Sequence, residues 1–415
     1  MTTGLFTGLR VLELGQYVAA PYAAELFAHG GADVVKVEPV TGDATRYNSP
    51  LGPDEGRQYI VKARGKRGIP VDLGTEAGRA IARDLAVSSD VVITNMRPGV
   101  AERLGLDFET LRSERPSIVF GQISGFGDKG PLSSRSSVDM IAQSWSGLNV
   151  SVGASHSGPP RHHEAFLCDY TAGVLLAFGV AAALRSVALG HPGQKVTTSL
   201  AQAALVLQHR NANVFEGIDA WKSEVGGWVE EGGLEAALER RAAHNAVDPF
   251  FFTSYSTADG VIGVGAVGTM AATMCEAFGI VDPRSKQEWS DRSQRQQLFD
   301  QTKAELAEIF AELTSAHIEE RLVALGIPAS RFRLLEEVMY DPEAEAGGLI
   351  HTWQHPTLGE VRMPSAPVGF SGAEYEANEA TPALGEHTDE ILRDLGYDVG
   401  TIERLIADGI VRRAD

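Results

Sequence analysis

Leu9-Arg-Val-Leu-Glu-Leu14, then Gly15-Gln-Tyr-Val-Ala-Ala-Pro21 and the run through His29-Gly30-Gly31 to Ala32-Asp-Val-Val-Lys-Val-Glu38, is the stretch on which the fold turns. Leu9 to Leu14 is apolar, short and closed by a glycine, which reads as a buried strand. Pro21 to His29 reads as a helix, with proline in its first turn and the Gly30-Gly31 pair as its stop. Ala32 to Glu38 reads as a second strand. A strand, a helix and a strand in this order form a βαβ unit, whose two strands run parallel. Outward from it, Thr75 to Ala86 has helical periodicity, Asp90 to Thr94 is a third strand, Phe108 to Glu114 a helix and Ser117 to Ile123 a fourth strand. This alternation predicts an α/β protein with a Rossmann-like, doubly wound parallel sheet, which takes its ligand at the carboxyl ends of the strands.

The turn after the first strand narrows the ligand. Gly15 to Pro21 lacks the G-x-G-x-x-G spacing that a dinucleotide pyrophosphate requires. A literal match at Gly263-Val-Gly265-Ala-Val-Gly268 follows Phe250 to Tyr255 across the turn signal Asp259-Gly260, so it reads as half of a hairpin. With a net charge of -19 the chain repels polyanions, which argues against nucleic acid and anionic membranes as partners. A phosphate-bearing ligand therefore needs a local basic cluster. Two segments offer one: Lys62-Ala-Arg64-Gly-Lys66-Arg67, and Asn95-Met-Arg97-Pro-Gly-Val-Ala-Glu-Arg103-Leu-Gly105, whose Pro-Gly turn opens a helix.

A length of 415 residues favours two domains. Two cysteines, Cys168 and Cys275, exclude a disulfide framework and a multi-cysteine zinc site, and fit the cytoplasm. No secretory signal is read at the N-terminus. The most apolar run, Ala172 to Leu184, ends at Arg185 after about a dozen residues, a length that suits a buried helix rather than a membrane span.

That run follows Glu164-Ala-Phe-Leu-Cys-Asp169-Tyr-Thr-Ala-Gly173, where a single carboxylate meets the start of a helix. Read locally, Asp169 is an N-cap that accepts from free backbone N–H groups. Cys168 beside it reads as a small packed side chain. His162-His163-Glu164 reads as a loop bordering a pocket, since adjacent residues rarely converge on one metal ion, and His387 as a capping element near a helix start.

Taken together, the chain resembles a family III CoA-transferase, the group that includes formyl-CoA and carnitine CoA-transferases, with alpha-methylacyl-CoA racemase as a cousin. The resemblance rests on Gly8-Leu-Arg-Val-Leu-Glu13, Gly31-Ala-Asp-Val-Val-Lys-Val-Glu38 with Gly42-Asp43, Asn95-x-Arg-Pro-Gly99 and Arg103-Leu-Gly105. It continues through Ser124-Gly-Phe-Gly127, Gly130-Pro131, the Asp169 segment and Gly193-Gln-Lys-Val196, and in the last third through Gly326-Ile-Pro328, Asp341-Pro342 and Leu384-Gly-Glu-His-Thr-Asp-Glu-Ile-Leu392. These matches are ordered and span nearly the whole chain.

The resemblance implies that Asp169 is a nucleophile, passing through an anhydride and an aspartyl-CoA thioester. It implies CoA contacts at Val18, Asn95, Met96, Arg103 and Leu104, a phosphate contact at Lys66 and Arg67, and further contacts at Arg97 and Arg135. A basic residue expected after Glu38 is replaced by Pro39, for which Arg46 is the candidate substitute. Val138 stands where the racemase has a histidine, so the racemase or another isomerase is the second reading, and a CoA-thioester-binding protein without turnover the third. The glycine-rich lid of formyl-CoA transferase has only Gly226-Gly227 and Gly232-Gly233 as counterparts. CoA and acyl-CoA are substrates in this reading, and no cofactor is expected. The organisation expected is a large domain over 1–220, a linker over 221–249, a smaller α+β domain over 250–335, and a linker with a return to the large domain over 336–415, in an interlocked homodimer.

Overall fold

The computed structural model describes residues 4–414 apart from 53, 154–160, 210–211, 243, 245–250 and 378–379. The chain divides into two compact units, Met1–Asn213 with Glu345–Asp415, and Val214–Ala344.

The first unit is built on a six-stranded sheet of β1 (Arg10–Leu14), β2 (Asp33–Glu38), β3 (Lys66–Pro70), β4 (Val91–Thr94), β5 (Val119–Ser124) and β6 (Lys195–Ser199). The spatial order is β3-β2-β1-β4-β5-β6 and every pairing is parallel. This is the doubly wound order, and its direction reverses between β1 and β4. Successive residues along each strand point to opposite faces, and two cores follow. Val11, Val34, Val91 and Val119 bury one face under the helices Ala19–His29 and Leu167–Ala188. Leu12, Val35, Val92 and Phe120 bury the other under Glu76–Ser88, Phe108–Glu114 and the C-terminal helices Thr388–Asp394 and Val399–Ala407.

Two strands escape the sequence pattern, and both are sheet edges. β3 reads Lys-Arg-Gly-Ile-Pro and β6 reads Lys-Val-Thr-Thr-Ser; edge strands carry charge and proline that central strands exclude. The basic segment Lys62 to Arg67 thus falls partly in the helix Arg57–Ala63 and partly in β3. The apolar helix also runs further than expected. It covers 22 residues, Leu167–Ala188, and Arg185 lies in its last turn. By length and composition it meets the requirement for crossing a membrane. In this fold Leu176 and Val180 pack onto Gly121 of β5, where an added Cβ would stand 3.0 Å from Val180, so a glycine there brings helix and sheet together.

In the second unit Phe251–Thr257 pairs antiparallel with Gly260–Ala266, which also pairs with Ala329–Arg331. Gly263 and Gly265 therefore lie in a hairpin strand and open no phosphate-binding βαβ turn. Phe251, Tyr255, Phe310 and Leu322 form the core with the helices Arg292–Ala311 and Ser315–Ala324. The segment read as a linker contains the helix Val225–Ala242, broken at Gly233 (φ 78°), so both glycine pairs lie in a helical segment and form no glycine loop. Residues 245–250, which span the expected end of the linker and the start of the small domain, lie outside the described residues.

Candidate active site

A cavity of about 1260 Å³ opens over the carboxyl ends of β1, β4 and β5, at the reversal of strand order. Such a crevice is where doubly wound sheets bind ligands. Its floor is the turn after β1. Gly15 is obligatory there, because a Cβ would stand 2.6 Å from that of Ala20. Asn95 at the end of β4 ties the two sides of the reversal: its Oδ1 accepts from Gln16 N–H (3.0 Å) and its Nδ2 donates to the Gln16 carbonyl (2.8 Å).

Beneath that floor lies a buried ionic cluster. Glu13 accepts from Lys36 (2.6 Å) and Lys66 (2.7 Å); Lys36 also pairs with Asp43 (3.0 Å) and donates to the Gly15 carbonyl, and Lys66 donates to the Pro21 carbonyl. The lysines therefore pin both ends of the first turn. Burial alone would raise the Glu13 carboxyl, but Lys36 and Lys66 outweigh it and hold it below its ordinary value.

Asp169 is the third residue of its helix and not the N-cap, which is Phe166 in the left-handed region (φ 48°). Capping comes from another helix. Asp139 opens the helix Asp139–Ser146, and its Oδ2 accepts from the N–H groups of Cys168 (2.7 Å) and Asp169 (3.0 Å). Gln143, one turn on, donates to Asp139 and to the His163 carbonyl (2.9 Å) and accepts from His163 N–H (2.8 Å), locking the 162–164 loop against the same carboxylate. The Asp169 side chain itself has no hydrogen-bond partner among the described residues and faces the cavity. Burial and the adjacent Asp139 charge push its carboxyl up to about 7, with Lys62 opposing. Cys168 is fully buried, and burial with the two aspartates pushes its thiol up to about 12, which leaves it unreactive at neutral pH.

Of the expected site residues, the cavity wall unites Asp169 with Val18, Asn95, Met96, Arg97 and Arg135, and with the His162-His163-Glu164 loop. Arg97 and Arg135 are exposed, and among the described residues neither has an ion-pair partner; Arg135 lies over the Phe126 ring. Five of the expected residues need correction. Lys66 is buried on Glu13, and Arg67 is held by Asp33, Glu390 and Asp394, so neither reaches the cavity with a free charge. Arg46 cannot replace a phosphate contact at Pro39, since it is buried in a two-point pair with Glu38 and bonded to Tyr59. Arg103 and Leu104 lie outside the cavity wall, with Leu104 packed against the core. Asp139, Gln143 and Gln16 were not singled out as site residues. Only Asp139 had a local signal, as an acid opening a helix, and nothing in sequence says that it caps a different one.

An elevated Asp169 carries a stability consequence. The native state binds this proton more tightly than the unfolded chain, so stability falls as pH rises from about 4 to about 7 and the full penalty applies above. Asp169→Asn is expected to raise stability by about 1–3 kcal/mol at pH 8 and to change it little at pH 4. Urea unfolding at both values measures this.

The site is thus a cleft at the strand reversal of a doubly wound sheet, walled by the Asp169 carboxylate and by Arg97 and Arg135, none of which has an ion-pair partner among the described residues. The sequence profile of CoA-transferase family III matches residues 6–388, and the chain belongs to that family of enzymes. It is 29% identical to the cinnamoyl-CoA:phenyllactate CoA-transferase of Clostridium sporogenes, over 98% of this chain and 97% of that one. It is 30% identical to the succinyl-CoA:mesaconate CoA-transferase of Haloarcula marismortui, over 96% and 98%. Among solved structures, Rv3272 of M. tuberculosis superposes with a TM-score of 0.76 at 24% identity, covering 94% of this chain and 99% of that chain, which shows the fold.

Proposed function

We propose that this protein transfers CoA from an acyl-CoA donor to a carboxylic acid acceptor, with Asp169 as the covalent nucleophile. The observation that carries this reading is the division of labour at the helix start: Asp139 accepts from the N–H groups of Cys168 and Asp169, while the Asp169 carboxylate has no hydrogen-bond partner among the described residues and is more basic than usual. A basic, unpaired carboxylate is the better nucleophile.

In the reaction an Asp169 Oδ attacks the donor carbonyl; the C–S bond breaks, giving an anhydride and CoA thiolate. The thiolate attacks the Asp169 carbonyl carbon and the donor acid departs, leaving an aspartyl-CoA thioester. The acceptor carboxylate attacks this thioester, expelling thiolate, and the thiolate then attacks the acceptor carbonyl to release the new acyl-CoA and Asp169. The helix N-terminus favours the anionic stages, and holding the thiolate within the cleft favours its recapture over diffusion. A cavity of about 1260 Å³ exceeds the few hundred to about 1,000 Å³ of ordinary small-ligand pockets, as a nucleotide with a pantetheine arm demands. The curated relatives named above move CoA between carboxylic acids, which supports the same reaction here. A racemase reading requires a second proton-moving group, and Val138 at the cavity wall moves none. The working unit proposed is a homodimer, interlocked as the family resemblance implies.

A panel of acyl-CoA donors crossed with mono- and dicarboxylate acceptors tests the reading. Acceptor-dependent formation of a new acyl-CoA with ping-pong kinetics is expected, whereas deuterium incorporation at the donor alpha carbon without transfer would sink it. Arg97, a free cation at the end of β4, is proposed to meet a CoA phosphate. Arg97→Ala is expected to raise KM for acyl-CoA about tenfold at low salt and to change kcat less than about threefold.

A further inference from the structure

The cavity has a far end that the mechanism leaves unused. Its wall follows the strand ends in spatial order: 123–125 at β5, 95–98 at β4, 14–19 at β1, 37–40 at β2 and 71–74 just past β3. With neighbouring strands about 4.8 Å apart, β5 and β3 lie about 19 Å from one another. The Asp169 helix packs on β5 and β6, which puts the carboxylate at one end of the cleft, with Arg97 near the middle. Pro39, Val40, Val71 and Leu73 give the opposite end an apolar surface. Asn48 and Gln58 also line it, with side-chain amides that have no hydrogen-bond partner among the described residues.

No lysine or arginine among the described residues lines this end. Two neighbouring arginines are engaged elsewhere: Arg46 is locked on Glu38, and Arg79 turns back to donate to the carbonyls of Leu73 (3.3 Å) and Gly74 (2.9 Å). The start of the helix Glu76–Ser88 is no substitute. Asp72 Oδ1 accepts from Gly74 N–H (2.8 Å), Thr75 Oγ1 accepts from Gly78 N–H (3.0 Å), and Glu76 adds negative charge in the first turn. Asp72 has no ion-pair partner among the described residues, so a phosphate placed here meets repulsion and no counter-charge.

We infer that this end receives the adenine base of a CoA thioester and leaves the 3′-phosphate on its ribose without a counter-charge, so that the protein uses dephospho-CoA thioesters, which lack that phosphate, as well as CoA thioesters. The inference rests on the cleft binding acyl-CoA with its thioester at Asp169. Adenine is flat, uncharged and apolar on its faces, which suits the surface of Pro39, Val40 and Leu73. Its edge carries an amino donor and ring-nitrogen acceptors, which match the Asp72 carboxylate and the amides of Asn48 and Gln58. The diphosphate then falls near the middle of the cleft, toward Arg97.

Isothermal titration of the full-length protein with CoA and with 3′-dephospho-CoA tests this. Dephospho-CoA is expected to bind as tightly as CoA, to within about threefold, or more tightly. A larger preference for CoA is the mark of a cation on the 3′-phosphate and overturns the inference alone, whereas binding of neither overturns the acyl-CoA reading and the inference with it. 4′-Phosphopantetheine, which has no adenosine, is expected to bind at least about tenfold more weakly than dephospho-CoA, and a smaller loss overturns the placement of the base. Pro39→Arg supplies a cation at the end of β2 and is expected to favour CoA over dephospho-CoA by about tenfold. A ratio unchanged from the wild type would put the 3′-phosphate elsewhere and overturn the inference. The wild-type comparison decides the matter whether or not the variant folds.

Discussion

Asp169→Asn is expected to lower CoA transfer by about 10⁴-fold or more, the scale on which loss of the proposed covalent nucleophile would be felt. The amide has the same shape, so the helix start survives: the N–H groups of Cys168 and Asp169 still reach Asp139. CoA affinity should change less than about threefold, because the free arginines and the Gln16–Asn95 clamp are untouched. Mass spectrometry separates this result from misfolding. Wild-type protein mixed with an active donor gains the mass of CoA less water and loses it with hydroxylamine, whereas Asp169→Asn gains nothing. The variant's raised stability at pH 8 is the other half of the same expectation, since both follow from one elevated carboxyl.

What the sequence disclosed and what it hid differ in physical kind. β1, β2, β4 and β5 are central strands with both faces buried, so their apolar runs are local signals. β3 and β6 escaped because an edge strand is under no such demand. The basic stretch Lys62 to Arg67 illustrates the limit most plainly. Its charges suggested an anion from outside, yet Lys66 and Arg67 answer anions from within, Glu13 and Asp33, which lie dozens of residues away in the chain. A sequence displays a charge but not its partner. Asp169 was legible as the acid at a helix start; that the N–H groups there are taken by another carboxylate was not, because that depends on Asp139 arriving from a helix thirty residues earlier.

Glu13→Gln is expected to destabilise the first unit by about 3–5 kcal/mol, the cost of leaving buried charges without their counter-ion. Lys66 would keep only the Pro21 carbonyl, and Lys36 would keep Asp43 and the Gly15 carbonyl. The contribution has a pH signature. Glu13 binds its proton less tightly folded than unfolded, so its stabilising effect is present above its ordinary value of 4.5 and fades as pH falls below it. The same lysines fix the turn that floors the cavity, and because both keep their carbonyl bonds in Glu13→Gln, acyl-CoA binding by the folded variant should change little. The decisive comparison is with a variant that removes the cluster altogether, Glu13→Gln with Lys36→Met, Lys66→Met and Asp43→Asn. Buried ion pairs yield little net stability over apolar replacements, while their broken halves cost much. The fourfold variant should therefore unfold in urea later than Glu13→Gln alone, yet bind acyl-CoA more weakly than it, because no ammonium then holds the Gly15 and Pro21 carbonyls. Additive losses across the four sites would instead show that each pair stabilises the fold independently and that the lysines are not there chiefly to shape the turn.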